Sequence, residues 1–178
     1  MSIEYYLLNG IWISALCMAV IGVVIAAVVI TPEQTSYVIQ RWGRHSRFTE
    51  PGLSFLIPIM ERCAGTLSLR VLSLAVTVET KTLDNVFVNV PIDVQHFVLP
   101  EGRFQAFYRL TDKAKQIAPL VYDVVRSKVP DMNLDNVFQN KEEIAKDVQG
   151  RLEVTMKDYG YGITQVLVTD IDPAANVK

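Results

Sequence analysis

The residue types that do chemistry are sparse in this chain, and they are scattered. Its 178 residues include two histidines and two cysteines. A metal centre needs three or four such ligands at short, regular spacings. Cys17, Cys63, His45 and His96 form no such set. No metal or other cofactor is expected. Nucleophilic catalysis has no signature either, because no Gly-x-Ser-x-Gly elbow occurs. Phosphate-cradling Gly-x-x-x-x-Gly-Lys and Gly-x-Gly-x-x-Gly loops are absent, as is His-Glu-x-x-His. The carboxylates are spread over turns and helix surfaces rather than paired. A net charge of −2 gives no electrostatic case for nucleic acid. The sequence thus reads as a binding or scaffolding protein, not an enzyme.

The strongest physical signal is apolar. Ile11 to Ile30 is a run of twenty residues without a charge. As a helix it would measure about 30 Å, the thickness of a bilayer's hydrocarbon core. A helix satisfies its own backbone polar groups, so a run of this length crosses lipid alone. Two other readings compete. A cleaved signal peptide needs a basic start and a small-residue cleavage site, but the chain opens Met1-Ser2-Ile3-Glu4 and the run closes Val28-Val29-Ile30-Thr31-Pro32. A buried core helix of this length would ordinarily carry a polar break. The division expected is a short flank 1–10, a transmembrane helix 11–30 and a folded domain 31–178. Ala15, Ala19, Gly22 and Ala26 fall on one helix face, where small side chains let a second helix approach; Ala and Gly are also simply common in such helices. Arg41, Arg44 and Arg47 follow the run and only Glu4 precedes it, so the positive-inside rule puts the domain on the cytoplasmic side of a single-pass anchor.

Past the anchor roughly 150 residues remain, enough for one domain with a core or two very small ones. Ser36 to Trp42 reads as a strand ended by Gly43, and Glu50-Pro51-Gly52 as a turn. That turn launches Leu53, Phe55, Leu56, Ile57, Ile59 and Met60. The segment is too short to span and contains Pro58. Adjacent strand residues point oppositely, so Phe55, Ile57 and Ile59 share one phase and Leu56 and Met60 the other. If one phase enters the core, the other needs a second apolar environment. It is either the bilayer surface, within reach of the anchor, or protein on both faces. Cys63, just beyond, is an inert half-buried thiol or an acylation site.

Leu67 to Thr80 holds one or two strands. Val86, Val88, Val90, Ile92 and Val94 then alternate with Phe87, Asn89, Pro91, Asp93 and Gln95, a half-buried strand whose inward phase continues to His96. Pro91 argues for an edge strand or a bulge. The period then changes. Glu101 to Leu110 reads as a short helix. Thr111-Asp112 can cap a second, to about Val129, with Ile117, Leu120, Val121, Val124 and Val125 on its apolar side, that Pro119 should kink or restart. A third is expected from Asn133 to Tyr159, with Ile144, Val148, Leu152 and Met156 inward and Glu142–Lys146 paired outside. Gly160 and Gly162 end it, and Ile163 to Ile171 is a last strand. Leu83-Asp84-Asn85-Val86-Phe87 recurs as Leu134-Asp135-Asn136-Val137-Phe138. The repeat reads as convergent start chemistry, a turn in the first copy and a helix cap in the second.

These pieces, in this order, resemble the stomatin/prohibitin/flotillin superfamily and its shared SPFH or band 7 domain. The likeness rests on Arg41-Trp42-Gly43-Arg44, on Glu50-Pro51-Gly52-Leu53 with Phe55-Leu56-Ile57-Pro58, and on Thr80 to Val88. Gln105 to Leu110, Leu134 to Phe138, Tyr159 to Ile163 and Asp170 to Pro173 are most similar to the hypersensitive-induced reaction branch. The likeness covers about residues 32 to 178. It implies an α+β fold with a mostly antiparallel sheet and packed helices, and no catalytic residue. The function implied is a membrane-anchored scaffold that homo-oligomerises into a ring or cage and organises a membrane microdomain. The alternative is a regulatory partner confining a membrane protease or channel. The sequence departs from plant members in opening Met1-Ser2 rather than Met-Gly. The family's long Ala/Glu-rich helix, a coiled coil following the position of Val177-Lys178, is absent from this chain.

Overall fold

The computed structural model describes residues 16–22 and 24–173. The chain forms two compact units, Met1–Ser68 and Leu69–Lys178. Both are built from antiparallel sheet, and the class is α+β, as expected.

In the first unit, residues 16–22 and 24–27 are helical (α1). The chain then turns to strand. β1 (Val28–Thr31) pairs with β4 (Gly52–Phe55) as a two-stranded ribbon. The helix expected over 11–30 is therefore corrected at its end, and residues 11–15 lie outside the described part. Among the described residues no helix is long and apolar enough to cross a membrane. The boundary has a local cause: Val28, Val29 and Ile30 are consecutive β-branched residues, stiff in a helix and favoured in a strand. Hydropathy alone does not distinguish the two.

The other sheet of this unit centres on β2 (Thr35–Arg41), between β3 (Arg44–Phe48) and β5 (Glu61–Ser68). Val38, Ile39 and Leu67 fill its interior. Thr49 ties the far end. Its hydroxyl accepts from the Tyr37 N–H at 2.9 Å, and its carbonyl accepts from the Ser36 hydroxyl at 2.9 Å.

The second unit is a four-stranded sheet of β6 (Leu72–Lys81), β7 (Phe87–Val98), β8 (Tyr161–Val168) and β9 (Asp172–Pro173). The alternating run is β7, with Val88, Val90, Ile92, Val94, His96 and Val98 all buried. It is not an edge strand. β6 flanks it on one side, β8 and β9 on the other. Pro91 is tolerated because it falls in the gap between β8 and β9, where its carbonyl accepts from the Thr169 N–H at 3.1 Å. A residue's N–H and C=O point to the same side of a strand, so the missing donor faces that gap.

The helices are α2 (Arg103–Tyr108), α3 (Lys113–Lys128), α4 (Leu134–Gln139) and α5 (Lys141–Asp158). Asp112 caps α3, its carboxylate accepting from the Ala114 and Lys115 N–H groups. The helix runs through Pro119 without restarting, burying Ile117, Val121 and Val125. The single third helix expected is two, broken at Asn140, whose φ of −102° and ψ of 18° leave the helical region. Ile144, Val148, Leu152 and Met156 are its buried stripe, as the spacing predicts. Glu142 and Lys146 form no ion pair; Lys128 of α3 meets Asp147 of α5 at 2.7 Å instead. Gly162 lies within β8, not at the helix end.

The repeated pentapeptide has a different logic from the one expected. In the first copy Asn85 turns the chain at φ 64°. In the second, Asp135 and Asn136 lie inside α4, and Asn133 at the N-cap makes no side-chain cap bond. The cap comes from the first copy: the Leu134 N–H donates to the Asp84 carboxylate at 3.0 Å, and the Leu83 N–H donates to the Met132 carbonyl at 3.0 Å. Asp84→Ala is expected to lower the stability of the second unit by about 1 kcal/mol, the usual worth of a cap, as read by denaturant unfolding.

His96 is 1 % exposed. Its Nδ1 lies 3.3 Å from the Val94 carbonyl, and its Nε2 has no partner. Burial pushes its pKa below the ordinary value; the Val94 carbonyl opposes this and Lys113 adds to it. The folded imidazole is therefore neutral where the unfolded one begins to bind a proton. Stability should fall as pH drops below about 6.5 toward the depressed folded value. Midpoint-against-pH curves should show that limb and should lose it in His96→Gln.

Candidate membrane-contact site

The ribbon of β1 and β4 places the second apolar run. Its register opposes Val28 to Phe55, Val29 to Ser54, Ile30 to Leu53 and Thr31 to Gly52. Side chains alternate faces, so Val28, Ile30, Leu53 and Phe55 share one face, and Val29, Thr31 and Ser54 the other. The second face turns inward: Thr31 is buried and its hydroxyl meets that of Thr49 at 3.2 Å. The first is apolar and bare, with Ile30 72 %, Leu53 62 % and Phe55 63 % exposed. Beyond β4 the Leu56 N–H donates to the Ala27 carbonyl at 2.7 Å, so ribbon and α1 are continuous. A turn follows, closed by the Glu61 N–H on the Ile57 carbonyl at 2.9 Å. Ile57, Ile59 and Met60 are exposed on it, and Leu56 is half-buried.

α1 offers no polar face. Leu16, Met18, Val20, Ile21, Val24 and Ile25 are all exposed. A helix apolar all round belongs inside protein or lipid. Of the small-residue stripe, Ala19, Gly22 and Ala26 lie exposed on it, and Ala15 is outside the described residues. A Cβ added at Gly22 would meet nothing within 4 Å.

A carboxylate pins the turn. The Glu61 side chain is fully buried beside two guanidiniums. Arg41 donates to its Oε1 at 2.8 Å; Arg47 donates to Oε1 at 2.9 Å and to Oε2 at 3.0 Å. The Ile57 N–H adds a bond to Oε2 at 3.2 Å, and Arg47 also reaches the Phe55 carbonyl at 2.6 Å. Forked arginine contacts of this kind are strong and directional. Burial pushes the Glu61 carboxyl up, but the Ile57 N–H, Arg41 and Arg47 together outweigh it and hold it below the usual carboxylate range. The stability this confers is present above the ordinary Glu value of about 4.3 and is lost as pH falls through the lower folded value. Glu61→Gln should cost on the order of 2 kcal/mol, since hydrogen bonds to a charged group are weakened and not all replaced. It should also remove that acid limb and speed hydrogen exchange at the Leu56 and Ile57 amides.

The sequence expectation named Leu53, Phe55, Leu56, Ile57, Ile59 and Met60 as one contact segment. The structure leaves Leu53, Phe55, Ile57, Ile59 and Met60 exposed and turns Leu56 partly in. Two parts of the site were not foreseen. Ile30 joins the face across the ribbon, which a helix over 11–30 hides. The Glu61 clamp was unread, though an acid four residues after Ile57 and two arginines at Arg41 and Arg47 were its available signal.

A model of the SPFH domain / Band 7 family matches residues 29–178, from the second residue of β1 onward. The chain belongs to this family. Among relatives, Hypersensitive-induced response protein 4 of Arabidopsis thaliana is 45% identical over 148 residues, 82% of this chain and 51% of that protein. The mitochondrial Stomatin-like protein 2 of Homo sapiens is 28% identical over 152 residues, 85% of this chain and 42% of that protein. The chain thus spans about half or less of the length of the curated relatives it matches. SPFH proteins are membrane-associated scaffolds, and the match takes in the clamp and all of the ribbon but its first residue, Val28.

Proposed function

We propose that this chain is the membrane-anchored part of an SPFH scaffold. The apolar segment before β1 enters the bilayer as a single-pass anchor, and the bare face of the ribbon rests in the interfacial layer. The domain homo-oligomerises into a ring or cage that delimits a membrane microdomain, and it performs no catalysis. The observation that carries this reading is the apolar surface running from α1 onto Ile30, Leu53 and Phe55, too extensive to be left in water. The arginines at 41, 44 and 47 argue for the cytoplasmic side by charge bias. The test is chemical crosslinking in native membranes, with the full-length protein, followed by sizing in mild detergent. A ladder closing on one large species is expected; a strict monomer overturns the scaffold. Lipid contact is read separately, by quenching of a tryptophan at position 55.

A further inference from the structure

Two turns meet at one end of the first unit, and both hold a large apolar residue in a conformation that works against it. The β2–β3 hairpin turns through Trp42 and Gly43, at φ 52° and 78°. Such two-residue turns favour Asn, Asp or Gly because both positions need positive φ; a tryptophan is out of place there. Trp42 is nevertheless 73 % exposed. In the second turn Ile59 sits at φ 77°, which a β-branched residue tolerates worst, and is 99 % exposed. The Trp42 N–H reaches the Met60 carbonyl at 3.4 Å, so the turns lie side by side. Large apolar side chains held at positive φ and turned out to solvent point to a use outside the fold.

The charge around this tip is one-sided. Arg44 and Arg62 flank Trp42, each lining a shallow hollow with it, and both are exposed. Neither has an ion-pair partner among the described residues. The one carboxylate here, Glu61, is already held by Arg41 and Arg47. The unit's other described acids, Glu33 and Glu50, sit at the far end of β2, beside the turn into Thr35 and beyond Thr49. The arginine end is also the end where α1 meets the ribbon, since Arg47 bonds the Phe55 carbonyl and Leu56 bonds Ala27.

We propose that the Trp42–Gly43 and Ile57–Met60 turns form a headgroup-reading tip. Trp42 and Ile59 enter the interfacial layer of the bilayer, and Arg44 and Arg62 hold the phosphates of anionic phospholipids. The inference rests on the reading that the ribbon lies in lipid, and it adds selectivity for lipid charge. Tryptophan's amphipathic ring suits the headgroup level. A guanidinium grips phosphate through paired donors. An anionic leaflet attracts each arginine enough for roughly a fivefold gain in docking.

The test uses the full chain in vesicles, with Trp12→Phe leaving Trp42 as the sole tryptophan. Quenching of Trp42 by brominated lipid reads the docked fraction. On phosphatidylcholine with about 30 mol% phosphatidylglycerol, Trp42 should be quenched, and molar salt should release it. Arg44→Gln with Arg62→Gln should lower the docked-to-undocked ratio roughly 25-fold; both lysine replacements should keep most of it. Quenching that is equal on neutral and anionic vesicles, or indifferent to the glutamine pair, overturns the inference. So does release by inorganic phosphate beyond that by chloride of equal ionic strength, which would mark a free-anion site. A companion protein carrying Trp42→Phe and Phe55→Trp reads the ribbon. If position 55 is quenched and Trp42 is not, the tip falls and the ribbon stands; if neither is quenched, both fall.

Discussion

Replacing Leu53 and Phe55 together by aspartate is expected to lift the ribbon out of lipid while the first unit stays folded. The ribbon's cohesion is backbone pairing between β1 and β4, which the substitutions leave alone. Both side chains are more than half exposed, so the folded unit loses little packing. Docking loses much more. Burying a large apolar side chain is worth about 1.5–3 kcal/mol, and roughly two thirds of each of these two is available for burial. The pair therefore forfeits about 2–4 kcal/mol, and two carboxylates in the interfacial layer add a desolvation cost. A fall of at least a hundredfold in the docked ratio follows from these magnitudes. It is read by bromolipid quenching of a tryptophan placed at Ile57, with circular dichroism reporting the fold. Thr31→Asp supplies the contrast, because it puts a charge on the inward face beside Thr49 and should unfold the unit. Unchanged quenching in the Leu53/Phe55 pair would mean the face is covered by protein, not lipid.

The sequence was most legible where one period ran long enough to exclude the other. β7 is the clearest case, with Val88 to Val98 inward at every second residue over twelve positions. α3 was legible in its start at Thr111-Asp112, where Asp112 is the cap, and in its apolar side, of which Ile117, Val121 and Val125 are buried and Leu120 and Val124 half-buried. Legibility failed where a strand's partners, not its own residues, decide its form. Arg44-His45-Ser46-Arg47-Phe48 is polar and has no alternation, yet it is a strand because the Trp42–Gly43 turn folds it back on β2. β5 begins Glu61-Arg62 for the same reason. Val28 to Ile30 are apolar enough for a membrane helix and β-branched enough for a strand, and pairing with Leu53 to Phe55 across the ribbon reinforces that local preference for strand.

The site was half legible. That Leu53 to Met60 holds two apolar phases is a fact of alternation. Which phase faces out depends on Glu61, whose grip on Arg47 and on the Ile57 N–H sets the turn. Long-range polar contacts of this kind leave no periodic trace. The Asp84 cap on α4, fifty residues away, is another.

Gly160→Ala should damage the second unit more than any exposed change. Gly160 follows α5 at φ 81°, a conformation that costs an L side chain about 1–2 kcal/mol. A Cβ there would overlap the Gly102 carbonyl oxygen and lie 2.8 Å from that residue's C and Cα. The reciprocal change is no easier. Gly102 has an ordinary φ of −91°, but its added Cβ would overlap the Gly160 Cα and stand 2.7 Å from the Gly160 oxygen. All of these obstacles are backbone atoms, so no rotamer change removes them. The same junction carries the Leu99 N–H bond to the Gly160 carbonyl at 2.9 Å, which fastens the end of β7 to the start of β8. Separating the two glycines strains or breaks that bond. Either alanine should cost about 3–5 kcal/mol, in the range reserved for strain and overpacking and a large share of a domain's net stability. Gly150→Ala is the control. It lies within α5, its added Cβ meets nothing within 4 Å, and helix propensity predicts a gain of up to about 1 kcal/mol. Denaturant midpoints followed by far-ultraviolet dichroism rank the three. If Gly102→Ala falls within about 1 kcal/mol of Gly150→Ala, the two backbones can part cheaply. The junction of α2 with β8 is then a loose contact, not the clasp that closes the unit.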